Sequence, residues 1–125
     1  MSSPVEDNGS EALYKAIGKR LRYWRRDHLE IYQQELADVV GVQGNAISLW
    51  ERGGGITLKN LLLLSEKVDI SLDWLLHGES NKWNCAWFRM KQLSKVQEEF
   101  VLDHLLTLIE QLSKAEPQSE PQSVP

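Results

Sequence analysis

Proline is absent between Pro4 and Pro117, and the sequence contains a single cysteine, Cys85. The missing prolines leave most of the chain free to form uninterrupted helices. A lone cysteine cannot form an internal disulfide, and with three scattered histidines it provides no metal-ligand cluster. We therefore predict neither a disulfide scaffold nor a metal site, and no residue pattern implies a cofactor.

Long apolar runs are also missing. No segment approaches the roughly 18 consecutive apolar residues that span a bilayer, and residues 1–10 lack the apolar core of a signal peptide. These absences predict a cytoplasmic protein with no membrane partner. Alternating β-branched residues are scarce, whereas apolar residues recur at helical spacings of three and four, which predicts an all-α fold.

The net charge of −4 at pH 7 is unevenly distributed. Residues 15–26 contain six basic residues and no acidic one, whereas the acids collect in the tails and late helices. Because the Debye length is about 8 Å at physiological salt, a local basic face attracts phosphate even on an acidic chain. A solvated helix face is the commoner explanation of a charge run, so charge alone does not decide the function.

Five helices are predicted in the first part of the chain. The first helix has an apolar stripe at Leu13, Ile17, Leu21 and Trp24. The other four are predicted over residues 33–40, 43–52, 58–68 and 72–76. Gly41 and the run Gly53–Gly55 end the second and third helices. Thr57 and Ser71 cap the fourth and fifth helices. We assign residues 11–78 to one domain, after a disordered tail over residues 1–10.

Residues 79–112 are predicted to form an aromatic linker and a C-terminal helix, before a disordered tail over residues 113–125. The linker carries Trp83, Trp87 and Phe88. They either form a ligand pocket or a site for a protein partner, or, as is more usual for such a cluster, pack the linker against its own domain or an oligomer interface. Ser94 and Gln97 match a capping box that opens the last helix. Its apolar residues form one stripe at Val101, Leu105, Leu108 and Leu112, and an adjoining stripe at Leu102, Leu106 and Ile109. This face is too wide for a lone helix, so we predict a homodimer through the first stripe, the alternative being that the helix folds back on its own domain.

The strongest pattern lies in residues 33–53, which suit two short helices crossing steeply. Ala37 is small enough for the crossing, and Gly41 allows the positive φ of a tight turn. The apolar anchors are Leu36, Val42, Ile47 and Trp50. Once anchored, the second helix presents Gln43, Gly44, Asn45, Ser48, Leu49 and Arg52 outward. Short polar residues at the start of an exposed helix suit the major groove of DNA.

These residues resemble the Xre family, the phage-repressor-like helix-turn-helix proteins. The resemblance covers roughly half of the chain, with motifs in family order at Ile17–Arg22, Gln33–Ala37, Ile47–Gly53 and Ser71–Gly78. It implies a five-helix DNA-binding bundle that binds operator DNA as a dimer. With the last helix included, the predicted fold is an all-α phage-repressor-like bundle followed by a C-terminal oligomerisation helix.

The resemblance also implies roles for individual residues. Gln33 is a phosphate clamp that braces the recognition helix, or else a simple helix-start hydrogen bond. Asn45 is the best candidate to pair with adenine, its alternative being a solvated surface amide. Glu51 and Arg25 resemble a buried ion pair of the family. The full predicted DNA-binding set is Gln33, Gln43, Gly44, Asn45, Ser48, Leu49, Arg52, Arg20 and Arg22.

Three departures from the family pattern stand out. The segment Asp27–Tyr32 is about one residue longer than usual and lacks the family's glycine. Gly44 lies where many members carry a side chain that contacts a base or a phosphate. Leu49 occupies a position that is often polar, which suits contact with a thymine methyl group.

The sequence therefore predicts a non-enzymatic transcriptional regulator, a dimeric repressor of phage or mobile-element type. It would read an inverted-repeat operator in double-stranded DNA through residues 43–52. The alternative is an antitoxin-like interaction module that also represses its own operon. A self-cleaving repressor would need a further strand-rich peptidase domain, for which the helical remainder of this chain is too short.

Overall fold

The computed structural model describes residues 5–115, with side chains from residue 9 onward. The regular elements in this range are all helical, which confirms the all-α prediction. They are α1 (Val5–Tyr23), a π-helical segment (Trp24–Leu29), α2 (Gln33–Val40), α3 (Gly44–Glu51), α4 (Leu58–Val68), α5 (Leu72–His77), α6 (Lys82–Met90) and α7 (Lys95–Ala115). None of the helices described is both long and apolar enough to cross a membrane.

The chain divides into two compact units, one ending at Cys85 and the other beginning at Ala86. The division falls later than the boundary at Gly78 that the sequence predicts. Asn84 explains the difference, because its buried side-chain amide donates to the carbonyl oxygen of Gly78 at 2.8 Å. This bond joins the start of α6 to the first unit.

The two ends of the helical region also differ from the predictions. Helix α1 begins at Val5, so residues 5–10 are helical although a disordered tail was predicted there. Helix α7 continues to Ala115, beyond its predicted end near Leu112. The predicted tails lie otherwise outside the described residues, at positions 1–4 and 116–125.

The core of the first unit forms around three tryptophans. Trp24, Trp50 and Trp74 are buried as predicted, and the rings of Trp24 and Trp74 lie 5.8 Å apart. The Trp24 indole donates to the carbonyl oxygen of Val68 at 3.3 Å, which connects α4 to this cluster. Leu13 is an exception to the predicted stripe, since it is 44% exposed.

Capping residues define the helix ends as their chemistry predicts. The hydroxyl of Thr57 accepts from the N–H of Asn60, and that of Ser71 accepts from the N–H of Trp74. Gly41 ends α2 with φ of +88°, in the left-handed region that favours glycine.

The start of α7 has the predicted capping box and a further ion pair. Ser94 and Gln97 exchange reciprocal side-chain to backbone hydrogen bonds of 3.0 and 3.2 Å. One turn later, the Glu98 carboxylate pairs with Lys91 at 2.9 Å, and both side chains are largely buried. These contacts fix the first turn of α7 against the preceding turn of the second unit.

The segment between α1 and α2 is a π-helix that ends in a left-handed residue. Glu30 has φ of +58° and takes the place that a glycine would occupy more easily. The N–H of Ile31 closes the turn by donating to the carbonyl oxygen of Arg25 at 3.1 Å. The extra length of residues 27–32 relative to the Xre pattern is therefore accommodated by a wider helical turn.

A buried ion pair joins the π segment to α3. The Arg25 Nε lies 2.7 Å from Glu51 Oε2, and Arg25 Nη2 lies 3.0 Å from Oε1, so the contact is bidentate. The two side chains are only 9% and 3% exposed. Arg25 Nη1 also donates to the carbonyl oxygen of Ile31 at 2.9 Å, which satisfies a further donor. The predicted ion pair is confirmed.

Helices α1 and α3 approach each other closely at Gly18. A Cβ atom at this position would lie 2.5 Å from the carbonyl oxygen of Trp50 and 2.8 Å from that of Glu51. Backbone atoms cannot move aside as the end of a side chain does. Only glycine therefore fits at this crossing without shifting a helix.

We expect Gly18→Ala to lower the free energy of unfolding by about 1–3 kcal/mol, because the added methyl group overpacks the crossing. Urea denaturation of the full chain measures the change. Gly9→Ala is the matched control on the same helix, since nothing lies within 4 Å of its added Cβ. Equal stabilities for the two variants would contradict the close approach.

We expect Glu51→Ala to cost about 3–5 kcal/mol of unfolding free energy, because the buried Arg25 guanidinium loses its counter-charge. The same denaturation measurement tests this. Glu66→Ala, an exposed glutamate on α4, should change stability by less than about 0.5 kcal/mol. If Glu51→Ala lowered the unfolding free energy as little as Glu66→Ala does, water would be solvating the Arg25 guanidinium in place of Glu51.

Candidate nucleic-acid interface

Helices α2 and α3 form the helix-turn-helix unit that the sequence predicts. Leu36 and Ala37 are fully buried on the inner side of α2. The N–H groups of Gly41 and Val42 both donate to the carbonyl oxygen of Ala37, at 2.8 and 3.0 Å. These bonds hold the tight turn and fix the direction in which α3 begins.

Helix α3 has one buried and one exposed face. Ile47 and Trp50 are buried beneath it, as predicted. The exposed residues are Gln43, Gly44, Asn45, Leu49 and Arg52, and Ser48 is half-buried among them. The structure thus brings six of the nine predicted DNA-binding residues onto one surface, although their contact with DNA stays a prediction.

Gln33 connects the start of α2 to the end of α3. Its Nε2 donates to Glu51 Oε1 at 2.9 Å, the oxygen that Arg25 Nη2 also contacts. One carboxylate therefore joins the π segment, α2 and α3. This bond agrees with the bracing role predicted for Gln33, whereas its phosphate contact stays a prediction.

The two arginines predicted from α1 have different surroundings. Arg20 Nη1 donates to the carbonyl oxygen of Leu75 at 2.8 Å, near the C-terminus of α5. This bond gives Arg20 a structural contact between α1 and α5, whereas its contact with DNA stays a prediction. Arg22 is exposed and has no such bond among those described.

Arg52 lies at the C-terminal end of the exposed face of α3. Its Nε donates to the carbonyl oxygen of Ser48 at 3.2 Å, one turn earlier in the helix. The bond holds the guanidinium along the exposed side of α3 and leaves its terminal nitrogens for other acceptors. Such a group suits a phosphate or a guanine edge.

A basic cleft beside α2 was not predicted as a unit. It has a volume of about 500 Å³ and is lined by Arg22, Arg25, Arg26, Glu30, Ile31 and Tyr32. The basic run indicated the arginines, but Tyr32 joins them only because the left-handed turn at Glu30 brings the chain back. Because Arg25 is already paired with Glu51, Arg22 and Arg26 are the cations of this cleft that suit a phosphate group of a nucleic-acid backbone. Within the described residues, no group of three or more histidine, cysteine or carboxylate side chains is placed to hold a metal ion.

The comparisons with known proteins agree with this arrangement. The helix-turn-helix family HTH_3 matches residues 21–75, which include α2 to α4 and most of α5. The chain is 40% identical over 67 residues to the HTH-type transcriptional regulator DicA of Escherichia coli K12, covering 53% of this chain and 49% of that protein. It is 41% identical over 75 residues to the repressor protein C2 of Salmonella phage P22, covering 57% of this chain and 33% of that protein.

A third relative is the uncharacterised HTH-type transcriptional regulator YqaE of Bacillus subtilis, 38% identical over 58 residues. That match covers 46% of this chain and 50% of the relative. The chain thus spans half or less of the length of the curated relatives it matches. No solved structure matches the chain significantly. Residues 21–75 therefore match the helix-turn-helix family of the Xre type, and the relatives that share this part of the chain carry the names of transcriptional regulators and a repressor.

Proposed function

We propose that this protein is a sequence-specific DNA-binding transcriptional regulator, a dimeric repressor that reads an inverted-repeat operator. The observation that carries the proposal is the two-faced α3, whose buried Ile47 and Trp50 hold an exposed polar face outward. Its first turn begins right after the tight turn at Gly41, so its N-terminal residues are free to enter a major groove. In this proposal the bound protein occupies a promoter and thereby blocks transcription.

Base and phosphate contacts divide between different parts of the surface in this proposal. Asn45, exposed on the first turn of α3, pairs with adenine through its amide. Leu49 is half exposed and contacts a thymine methyl group. Arg22, together with the basic cleft, contacts phosphates and supplies binding that does not depend on sequence.

We expect Asn45→Ala to weaken binding to the operator by about 1–3 kcal/mol while leaving binding to random DNA nearly unchanged, because only a base contact is lost. The operator is first selected from a random DNA pool with the full chain, and binding is then measured by fluorescence anisotropy. Arg22→Ala is the contrasting variant. It should weaken both complexes and lower the salt slope of binding by about one. Equal losses on both DNAs for Asn45→Ala would assign Asn45 to the backbone instead.

Dimerisation through α7 is the second part of the proposal. None of its residues is buried, and the apolar residues of its two stripes are between 38% and 64% exposed. Burying one leucine side chain contributes roughly 1.5–3 kcal/mol of favourable free energy, so covering this face with an apolar partner is strongly favourable.

We infer that a second copy of the chain covers the apolar face of α7, because a symmetric dimer also matches the symmetry of an inverted-repeat operator. Two-fold pairing of identical faces is self-complementary and closes without further association. A two-fold dimer of helix-turn-helix proteins reads two half-sites about 34 Å apart, one turn of DNA. An inverted-repeat operator has the same symmetry.

We expect Leu105→Glu, combined with Leu108→Glu, to convert a dimer into a monomer at micromolar concentration, because both charges fall in the apolar face. Sedimentation velocity of the full chain measures the change. Thr107→Glu is the matched control, since Thr107 lies on the exposed polar side of α7 and should leave the dimer intact. A monomeric wild type would favour the alternative that α7 packs on its own domain, and a dimeric double variant would place the interface elsewhere.

The antitoxin-like alternative needs a protein partner for residues 79–112. Trp83 is the residue that favours a partner, since it is 76% exposed on α6, whereas Trp87 and Phe88 are half-buried. A toxin that co-purifies with the wild type, and is lost in Trp83→Ala, would support this alternative.

A further inference from the structure

The recognition helix α3 begins with a residue that has no side chain, and a neighbouring helix fills the space. A Cβ atom built on Gly44 would lie 2.5 Å from Gln34 Oε1, 3.4 Å from its Cδ and 3.6 Å from its Nε2. The carboxamide oxygen of Gln34 therefore occupies space that a Cβ atom at position 44 would need, and the rest of the carboxamide lies in van der Waals contact with it. Both residues are exposed.

A hydrogen bond within α2 orients this carboxamide. Gln34 Nε2 donates to Asp38 Oδ1 at 2.9 Å, one helical turn away. The nitrogen is thereby directed toward Asp38, and the oxygen lies nearest to Gly44. The partial positive charge at the N-terminus of α3 favours an oxygen in that place. Gln34 thus presents an acceptor, and a second N–H beside it, at the first position of α3.

We propose that Gln34 is a specificity-determining residue that reads a base from α2, at the position left open by Gly44. Its Oε1 accepts a hydrogen bond from the exocyclic amino group of a base, which in the major groove means adenine N6 or cytosine N4. With adenine, the remaining Nε2 hydrogen donates to N7 and makes the contact bidentate. The inference rests on the proposed DNA-binding function and adds α2 to its reading surface.

The coupling between the two positions makes the idea testable. In Gly44→Ala the new Cβ displaces the end of the Gln34 side chain, which is flexible, so the fold is retained. Alanine also suits a helix better than glycine does, so the melting temperature should not fall. Gln34→Ala therefore deletes the amide, and Gly44→Ala displaces the same amide from its position beside α3.

The experiment selects bound sequences from a random DNA pool with the full-length wild type, Gln34→Ala, Gly44→Ala and the double variant. The wild type should prefer adenine or cytosine about ten-fold at one position of each half-site, in line with a single base contact. Each single variant should lose that preference and keep the rest of the motif. The double variant should lose nothing more, because the two changes are not additive when they remove one interaction.

Gln92→Ala is the matched control, an exposed glutamine outside the helix-turn-helix unit, and should select the wild-type motif. If the wild type enriches no motif, the proposed function fails and the inference fails with it. If the wild type enriches a motif that Gln34→Ala retains at every position, the inference alone is wrong. It is equally wrong if Gln34→Ala weakens operator and random DNA by the same factor, since Gln34 would then contact the backbone or cap α3.

Discussion

One carboxylate, that of Glu51, connects the π segment, α2 and α3. It accepts from Arg25 through two nitrogens and from Gln33 through one, with contacts between 2.7 and 3.0 Å. Its side chain is almost fully buried, so every acceptor position that water would otherwise fill has to be satisfied by the protein. The angle between α2 and α3 therefore depends on a charge contact as well as on apolar packing. A surface held by such contacts is largely pre-ordered, so the entropy cost of ordering it opposes the proposed binding of DNA only weakly.

The elements that could be predicted from the sequence are those set by local chemistry. Helix α2 has the bounds that the pattern predicts, because Gly41 ends it through its own backbone preference. Thr57 and Ser71 cap their helices within three residues, so neighbours in sequence are sufficient to identify them. The Arg25–Glu51 pair came from family resemblance, since the two residues are far apart in the chain and no periodicity links them.

The features that were missed depend on distant contacts. Helix α6 begins where Asn84 bonds back to Gly78, and the aromatic spacing in this segment gave no clear period. Arg20 looked like part of a basic face, but the carbonyl of Leu75, 55 residues later, accepts its hydrogen bond. The approach of Gln34 to Gly44 follows from the crossing of two helices and cannot be read from either residue. At the start of α1, polar composition did not distinguish a helical extension from a disordered tail.

The π-helical segment Trp24–Leu29 has a consequence for how this chain tolerates changes in length. A π turn closes its hydrogen bond over one more residue than an α turn does. An extra residue can therefore be absorbed inside the helix, as a local widening, without lengthening the loop that follows. Trp24 and Arg25 remain buried at its start, and α2 still begins at Gln33. An insertion close to α2 and α3 is thereby compatible with an unchanged placement of these helices, so that the length of this segment and the position of α2 vary independently.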